Sequence, residues 1–133
     1  MNEQTNVDIV KQIYAAYGKG DIPGILSLMA EEVVHHEPPA GAAPYRGTYE
    51  GHDGVRAFFQ AAFETITVEQ FEVREFVAKA NTVIELGRYC FRGRATLLSY
   101  ETDGVMAWRL KDGKVVGWTT YKDSAVEAAA LGD

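Results

Sequence analysis

Val33-Val34-His35-His36-Glu37-Pro38-Pro39 is the stretch from which the fold and the candidate chemistry are both read. It is a short apolar run that ends in two histidines and a carboxylate and is closed by a rigid Pro-Pro. In an extended backbone successive side chains alternate between faces, so Val33, His35 and Glu37 share one face and Val34 and His36 share the other. Pro38 biases Glu37 toward extended backbone and ends the strand there. Three titratable groups in a row suit a site that handles a proton; they equally suit a polar strand end that meets water. What lies on either side decides whether Glu37 faces a pocket.

Upstream, Val7, Val10, Ile13, Tyr14 and Tyr17 recur at spacings of three and four, which predicts a one-sided helix over 7–19 with Asn6 as N-cap and Gly18-Lys19-Gly20 as its stop. Asp21 and Pro23 open a second helix, with Ile22, Ile25, Leu26, Leu28 and Met29 as its buried stripe. Downstream, residues 40–51 are rich in Gly, Ala and Pro and show no period, which predicts a loop whose large side chains are Tyr45 and Tyr49. Asp53 is the expected N-cap of a third helix carrying Val55, Phe58, Phe59, Ala62, Phe63 and Ile66, with His52 beside the cap in solvent.

From Thr67 the period changes from 3.6 to 2. Strands are expected at 68–79, 82–94, 95–101, 105–110 and 115–122, parted by turns at Ala80-Asn81, Thr102-Asp103-Gly104 and Lys111-Asp112-Gly113-Lys114. An alanine-rich helix over 124–131 closes the chain at Gly132. Helices followed by a hairpin-connected antiparallel meander give an α+β domain, with the helices on one face of a strongly bent sheet. Such a cone has a mouth that can admit a ligand.

The 133 residues fit one domain spanning 1–133, large enough to bury a core without a staple. The single cysteine, Cys90, has no intramolecular partner, and its expected role is a small buried side chain. No Cys/His spacing marks a metal site, and no cofactor is called for. A net charge of −6 argues against a nucleic-acid binder, and Arg88, Arg92 and Arg94 read as a solvated strand face. The first residues have neither a basic start nor a long apolar core, and no apolar run reaches membrane-spanning length. The expectation is a soluble cytoplasmic protein that engages no membrane.

Four blocks carry a resemblance: Tyr14-Ala-Ala-Tyr-Gly-Lys-Gly-Asp21, Leu28-Met-Ala-Glu-Glu-Val-Val-His-His-Glu-Pro38, Tyr49-Glu-Gly-His-Asp-Gly-Val55 and Asp112-Gly-Lys-Val-Val-Gly-Trp-Thr-Thr-Tyr-Lys-Asp123. In this order and spacing the chain resembles the nuclear transport factor 2-like superfamily, in its SnoaL-like and ketosteroid-isomerase-like branch. The resemblance implies a cone-shaped α+β barrel with three N-terminal helices packed on a strongly curved antiparallel sheet, a short C-terminal helix and a homodimer formed through the outer sheet face. It places Glu37-Pro38 in register with the Asp-Pro base of ketosteroid isomerases. Ile13 stands at the position of that enzyme's tyrosine donor, and Val105 or Met106 near its second aspartate, so the oxyanion donors of that chemistry are missing. The epoxide-hydrolase branch would need a carboxylate near Thr120 and an aspartate at Cys90.

The expected acid/base set is therefore Glu37 with His35 or His36, the glutamate raised toward neutrality by its apolar surroundings. The expected ligand-binding residues are Tyr14, Tyr17, Tyr45, Trp108, Trp118 and Thr120, around a small, largely apolar molecule. One of Tyr14 and Tyr17 would send its hydroxyl into the cone; the tryptophans would face the helices or a partner subunit; Tyr45 would lid the cone or lie on the surface. A cofactor-independent isomerase, hydrolase or cyclase fits this set. So does a non-catalytic ligand-binding domain or a protein-interaction module.

Overall fold

The computed structural model describes residues 2–41 and 43–132, so Ala42 of the expected loop lies outside the described residues. Helix α1 (Glu3–Gly18) starts earlier than its apolar spacing suggests, because Asn2 supplies the cap: its side chain accepts from the Thr5 backbone N–H at 2.8 Å. Asn6 is not the cap. It sits inside the helix, buried, and reaches the Ala80 carbonyl. Asp21 caps α2 (Ile22–Leu26) as read, but this helix has only five residues. Leu28 and Met29 leave it because their backbone is claimed by a sheet: the Leu28 carbonyl accepts from Val115 N–H, and Met29 opens β1 (Met29–Glu37).

β1 pairs with two strands. On one side is β2 (Gly47–Glu50), antiparallel, inside the segment expected to be loop. Four residues are too few to show a period; the pairing to β1 creates the strand. Helix α3 (Gly51–Thr65) follows at once, three residues ahead of the expected start. Asp53 lies in its first turn, bonded to Arg56 at 2.7 Å, and no side chain caps its end. His52 is half-buried rather than in solvent, its Nε2–H donating to the Met29 carbonyl at 2.9 Å.

On the other side β1 lies parallel to β6 (Lys114–Lys122). The meander β3 (Ile66–Lys79), β4 (Thr82–Gly93), β5 (Ser99–Lys111), β6 completes a six-stranded open sheet in the order β2-β1-β6-β5-β4-β3. The sheet is thus mixed, not wholly antiparallel, since β2 and helix α3 separate β1 from the meander and let it dock alongside the last strand. Backbone irregularities between Val68 and Gln70, Val73 and Glu75, and Arg109 and Leu110 bend the sheet.

The turns at Ala80-Asn81 and Asp112-Gly113 form where expected, with left-handed φ at Ala80, Asp112 and Gly113. The third expected turn does not form. Thr102-Asp103-Gly104 runs through the middle of the 13-residue β5, paired with Tyr89, Arg88 and Gly87. Gly104 serves packing instead: a Cβ there would stand 2.0 Å from Cε2 of Tyr89, so only glycine lets that ring lie on the strand. The chain turns at 94–98, closed by Gly93 N–H to the Leu98 carbonyl, and residues 95–98 are not strand.

Helices α1 and α3 and the C-terminal α4 (Ser124–Leu131) pack against the sheet, and the core holds Val10, Ile13, Ile25, Val33, Val55, Val83 and Val115. Asp123 caps α4, accepting from Ala125 and Val126 N–H. That helix turns Glu127 inward. Among the described residues no helix is long and apolar enough to cross a membrane.

Candidate functional site

The inward face of the sheet can be followed strand by strand. β1 contributes His35 and Glu37, β6 Trp118, Thr120 and Lys122, β5 Met106 and Trp108, and β4 Glu85 and Tyr89; across them stand Ile13, Tyr14 and Tyr17 of α1 and Phe58 and Phe59 of α3. Between them is a cavity of about 80 Å³, set within about 690 Å³ of atom-free space that includes open solvent. Its walls are aromatic: Trp108 and Trp118 stack with centroids 5.1 Å apart, and Phe59 stacks on Trp118 at 5.9 Å.

One end of the cavity is a buried charge cluster. Lys122 Nζ donates to Glu37 Oε2 and also lies within 3.0 Å of both Glu127 oxygens. Tyr45 and Tyr100 hydroxyls donate to Glu127 as well, at 2.5 and 2.9 Å. Behind Glu37, His35 bridges from Nδ1 to the Trp118 carbonyl at 3.1 Å and from Nε2 to Glu37 Oε1 at 2.9 Å. A carbonyl can only accept, so Nδ1 carries a hydrogen; a proton then resides in the Nε2···Oε1 bond, on one partner or the other. The imidazole is fully buried and lies against Trp118 at 4.0 Å and Phe58 at 4.4 Å, so this proton is shielded from bulk water.

Burial pushes Glu37 up, but the hydrogen bond from His35 and the charge of Lys122 outweigh it, and the carboxyl sits below the usual glutamate range. This reverses the expectation of a carboxyl raised toward neutrality. The apolar wall is present, but it comes with a cation that alternation alone places on the same face. Burial would likewise lower Lys122; the charges of Glu37 and Glu127 hold it above the ordinary lysine value.

A second polar cluster lies further along the sheet. Glu85 Oε1 accepts from Tyr14 and Tyr89 hydroxyls at 2.8 and 2.6 Å, and Trp108 Nε1 donates to Tyr14 at 3.0 Å. Glu85 Oε2 is buried and has no hydrogen-bond partner among the described residues. It occupies the space above Gly87, where a Cβ would stand 2.3 Å from it. Burial raises this carboxyl, and the two tyrosine hydrogen bonds only partly offset the rise.

Of the residues singled out from sequence, Glu37, Tyr14, Tyr17, Tyr45, Trp108, Trp118 and Thr120 line this one cavity, with His35 immediately behind Glu37. His36 does not join them: it is exposed on the opposite face and bonds Thr48 at 3.0 Å, as alternation requires. Tyr45 is not a surface residue: it is buried at the cavity wall with its hydroxyl on Glu127. The tryptophans face the cone's interior rather than a partner. Cys90, half-buried, points away from the cavity toward Glu69. Arg88 is half-buried and pairs with Glu101 and Asp103.

Lys122, Glu127, Glu85, Tyr89 and Tyr100 were missed. For Lys122 a signal existed, since Trp118, Thr120 and Lys122 alternate onto one face; Glu85 shares such a face with Val83 and Tyr89. For Glu127 and Tyr100 only the folded chain brings the partners together. Among the described residues no group of three or more His, Cys, Asp or Glu side chains converges as a metal would require.

A model of the SnoaL-like domain matches residues 10–118. Among solved structures, a nuclear transport factor 2-like protein from Burkholderia xenovorans LB400 is 35% identical, with 99% of each chain covered and a TM-score of 0.90. A nuclear transport factor 2-like protein of unknown function from Burkholderia pseudomallei K96243 is 26% identical over the whole of both chains, with a TM-score of 0.88. TerC, crystallised with polyporic acid, has the same fold at 24% identity, a TM-score of 0.86 and coverage of 96% of this chain and 98% of its own. No curated protein matches.

Proposed function

The chain belongs to the SnoaL-like family, and we propose that it binds a small, flat, largely apolar molecule in the cone and moves a proton on it, with Glu37 as the acid/base group. The observation that carries this is the junction of the two environments: an aromatic slot that ends on a carboxylate backed by a buried, proton-bearing imidazole. His35 and Lys122 together hold Glu37 ionised in the resting protein, and an ionised carboxylate is the form that accepts a proton. His35, between the Trp118 carbonyl and Glu37, positions the carboxylate, and the proton taken from the ligand stays on Glu37. Glu127 keeps Lys122 compensated when a ligand draws Glu37 away. Proton transfer of this kind needs no cofactor, and the reaction classes it serves are isomerisation, hydrolysis and ring closure.

A second reading, a binding domain without turnover, is favoured by one observation: both oxygens of Glu37 already have partners in the resting state. The two readings part on one experiment. Wild type and Glu37→Gln are compared by ligand-induced thermal shift and by tryptophan fluorescence against planar ketones, polycyclic phenols and, given its presence in the TerC crystals, polyporic acid. Exchange of the ligand's acidic C–H protons with solvent deuterium is then followed in both proteins. Binding by both proteins with exchange in wild type alone supports the acid/base role; equal binding and no exchange in either supports the binding domain.

A further inference from the structure

The tyrosines that line the cavity are not equivalent. Tyr14 and Tyr89 give their hydrogens to Glu85, and Tyr45 gives its hydrogen to Glu127. Tyr17 alone among them makes no side-chain hydrogen bond within the described residues, although its ring is fixed by Phe59, Phe63 and Phe71 at centroid distances of 6.2, 5.3 and 5.5 Å. Burial and the nearby charge of Glu37 raise its hydroxyl, so it remains a donor throughout the physiological range.

Thr120 is the other cavity hydroxyl with no hydrogen bond among the described residues, and the residue is only 5% exposed. It is placed by the parallel ladder. His35 pairs with Trp118 and His36 with Thr119, so the next step sets Glu37 beside Thr120. Two cavity hydroxyls near the same carboxylate, neither bonded to another side chain or carbonyl among the described residues, are free to take a partner from a ligand.

We propose that Tyr17 and Thr120 form the hydrogen-bonding subsite of this cavity, and that they hold the carbonyl oxygen of a neutral, planar ligand next to Glu37. This rests on reading the cone as a ligand site. Both groups are hydroxyls free to donate, which selects an acceptor on the ligand. Neutrality follows from the charges facing the slot: the carboxylates of Glu37 and Glu127 are balanced by Lys122 and by the proton shared between His35 and Glu37. An ionised ligand would add a net charge to a buried, already balanced cluster. Trp108, Trp118 and Phe59, stacked on one another along the wall, offer an aromatic surface that suits a planar ligand.

The test uses 2-tetralone and tetralin, which share a bicyclic skeleton and differ by the carbonyl. The chain has two tryptophans and both line the cavity, so intrinsic fluorescence reports binding there. Dissociation constants for both probes are measured on wild type, Tyr17→Phe, Thr120→Val and Thr120→Ser. Each lost hydroxyl should cut the preference for 2-tetralone over tetralin by about three- to tenfold, leave tetralin binding unchanged, and in Thr120→Ser the preference should return. Thermal midpoints near wild type establish that the variants fold. A preference that is the same in all four proteins overturns the subsite while leaving the cone as a ligand site. If neither probe binds wild type, the subsite and the reading it rests on fall together.

Discussion

The cavity buries acids at both ends and treats them in opposite ways. Glu37 and Glu127 share an ammonium, Lys122, and receive further hydrogen bonds from His35, Tyr45 and Tyr100. Glu85 is fully buried with two tyrosine donors on one oxygen, no hydrogen bond on the other and no cation within salt-bridge distance among the described residues. The first arrangement keeps Glu37 charged; the second favours the neutral acid at Glu85. Burial alone therefore does not say which carboxylate in an apolar cone is raised. The charge facing it does.

Removing the cation should produce the largest effect. In Lys122→Met two buried carboxylates lose their counter-charge, and urea unfolding at neutral pH should show a loss of about 3–5 kcal/mol. Part of that loss should return at low pH, where the carboxyls are neutral. Gly104→Ala attacks the other end. Its Cβ would meet the Tyr89 ring, and the overpacking should cost about 1–3 kcal/mol and disturb the Tyr89–Glu85 hydrogen bond. By contrast Glu85→Gln removes no ion pair and should stay within about 1 kcal/mol of wild type at neutral pH. A loss as large as that of Lys122→Met would erase the distinction between the two ends.

The same contrast has a pH signature. The folded-state value of Glu37 lies below its ordinary value of 4.5, so its contribution to stability is present above that value and fades as pH falls through the folded one. The folded-state value of Glu85 lies above 4.5, so its contribution is present below that value and is lost as pH rises through the folded one. Unfolding curves of Glu85→Gln across pH should lack this second component, whereas those of Glu37→Gln should lack the first. The smallest effect is expected for His36→Ala. That side chain is exposed, so stability should change by no more than about 0.5 kcal/mol and probe binding should not change at all.

These contrasts were only half legible in the sequence. Period-2 alternation through Val33, His35 and Glu37 put the right histidine behind the glutamate, and the change of period at Thr67 marked where the meander begins. The Asp103-Gly104 pair misled because the same dipeptide serves a hairpin or a ring lying flat on a strand; only the tertiary position of Tyr89 separates them. β2 was invisible because its four residues owe their extended state to β1. Lys122 stood in an alternating run with Trp118 and Thr120, yet a terminal lysine reads as a strand end meeting water until α4 folds Glu127 over it.

The most direct measurement is a carbon-13 NMR titration of the side-chain carboxyls of Glu37 and Glu85, assigned with the two glutamine variants. The Glu37 midpoint should lie below the ordinary glutamate range and the Glu85 midpoint above it in the same sample. A Glu37 midpoint at or above that of Glu85 would contradict this, and would remove His35 and Lys122 as the groups that hold the candidate base ionised.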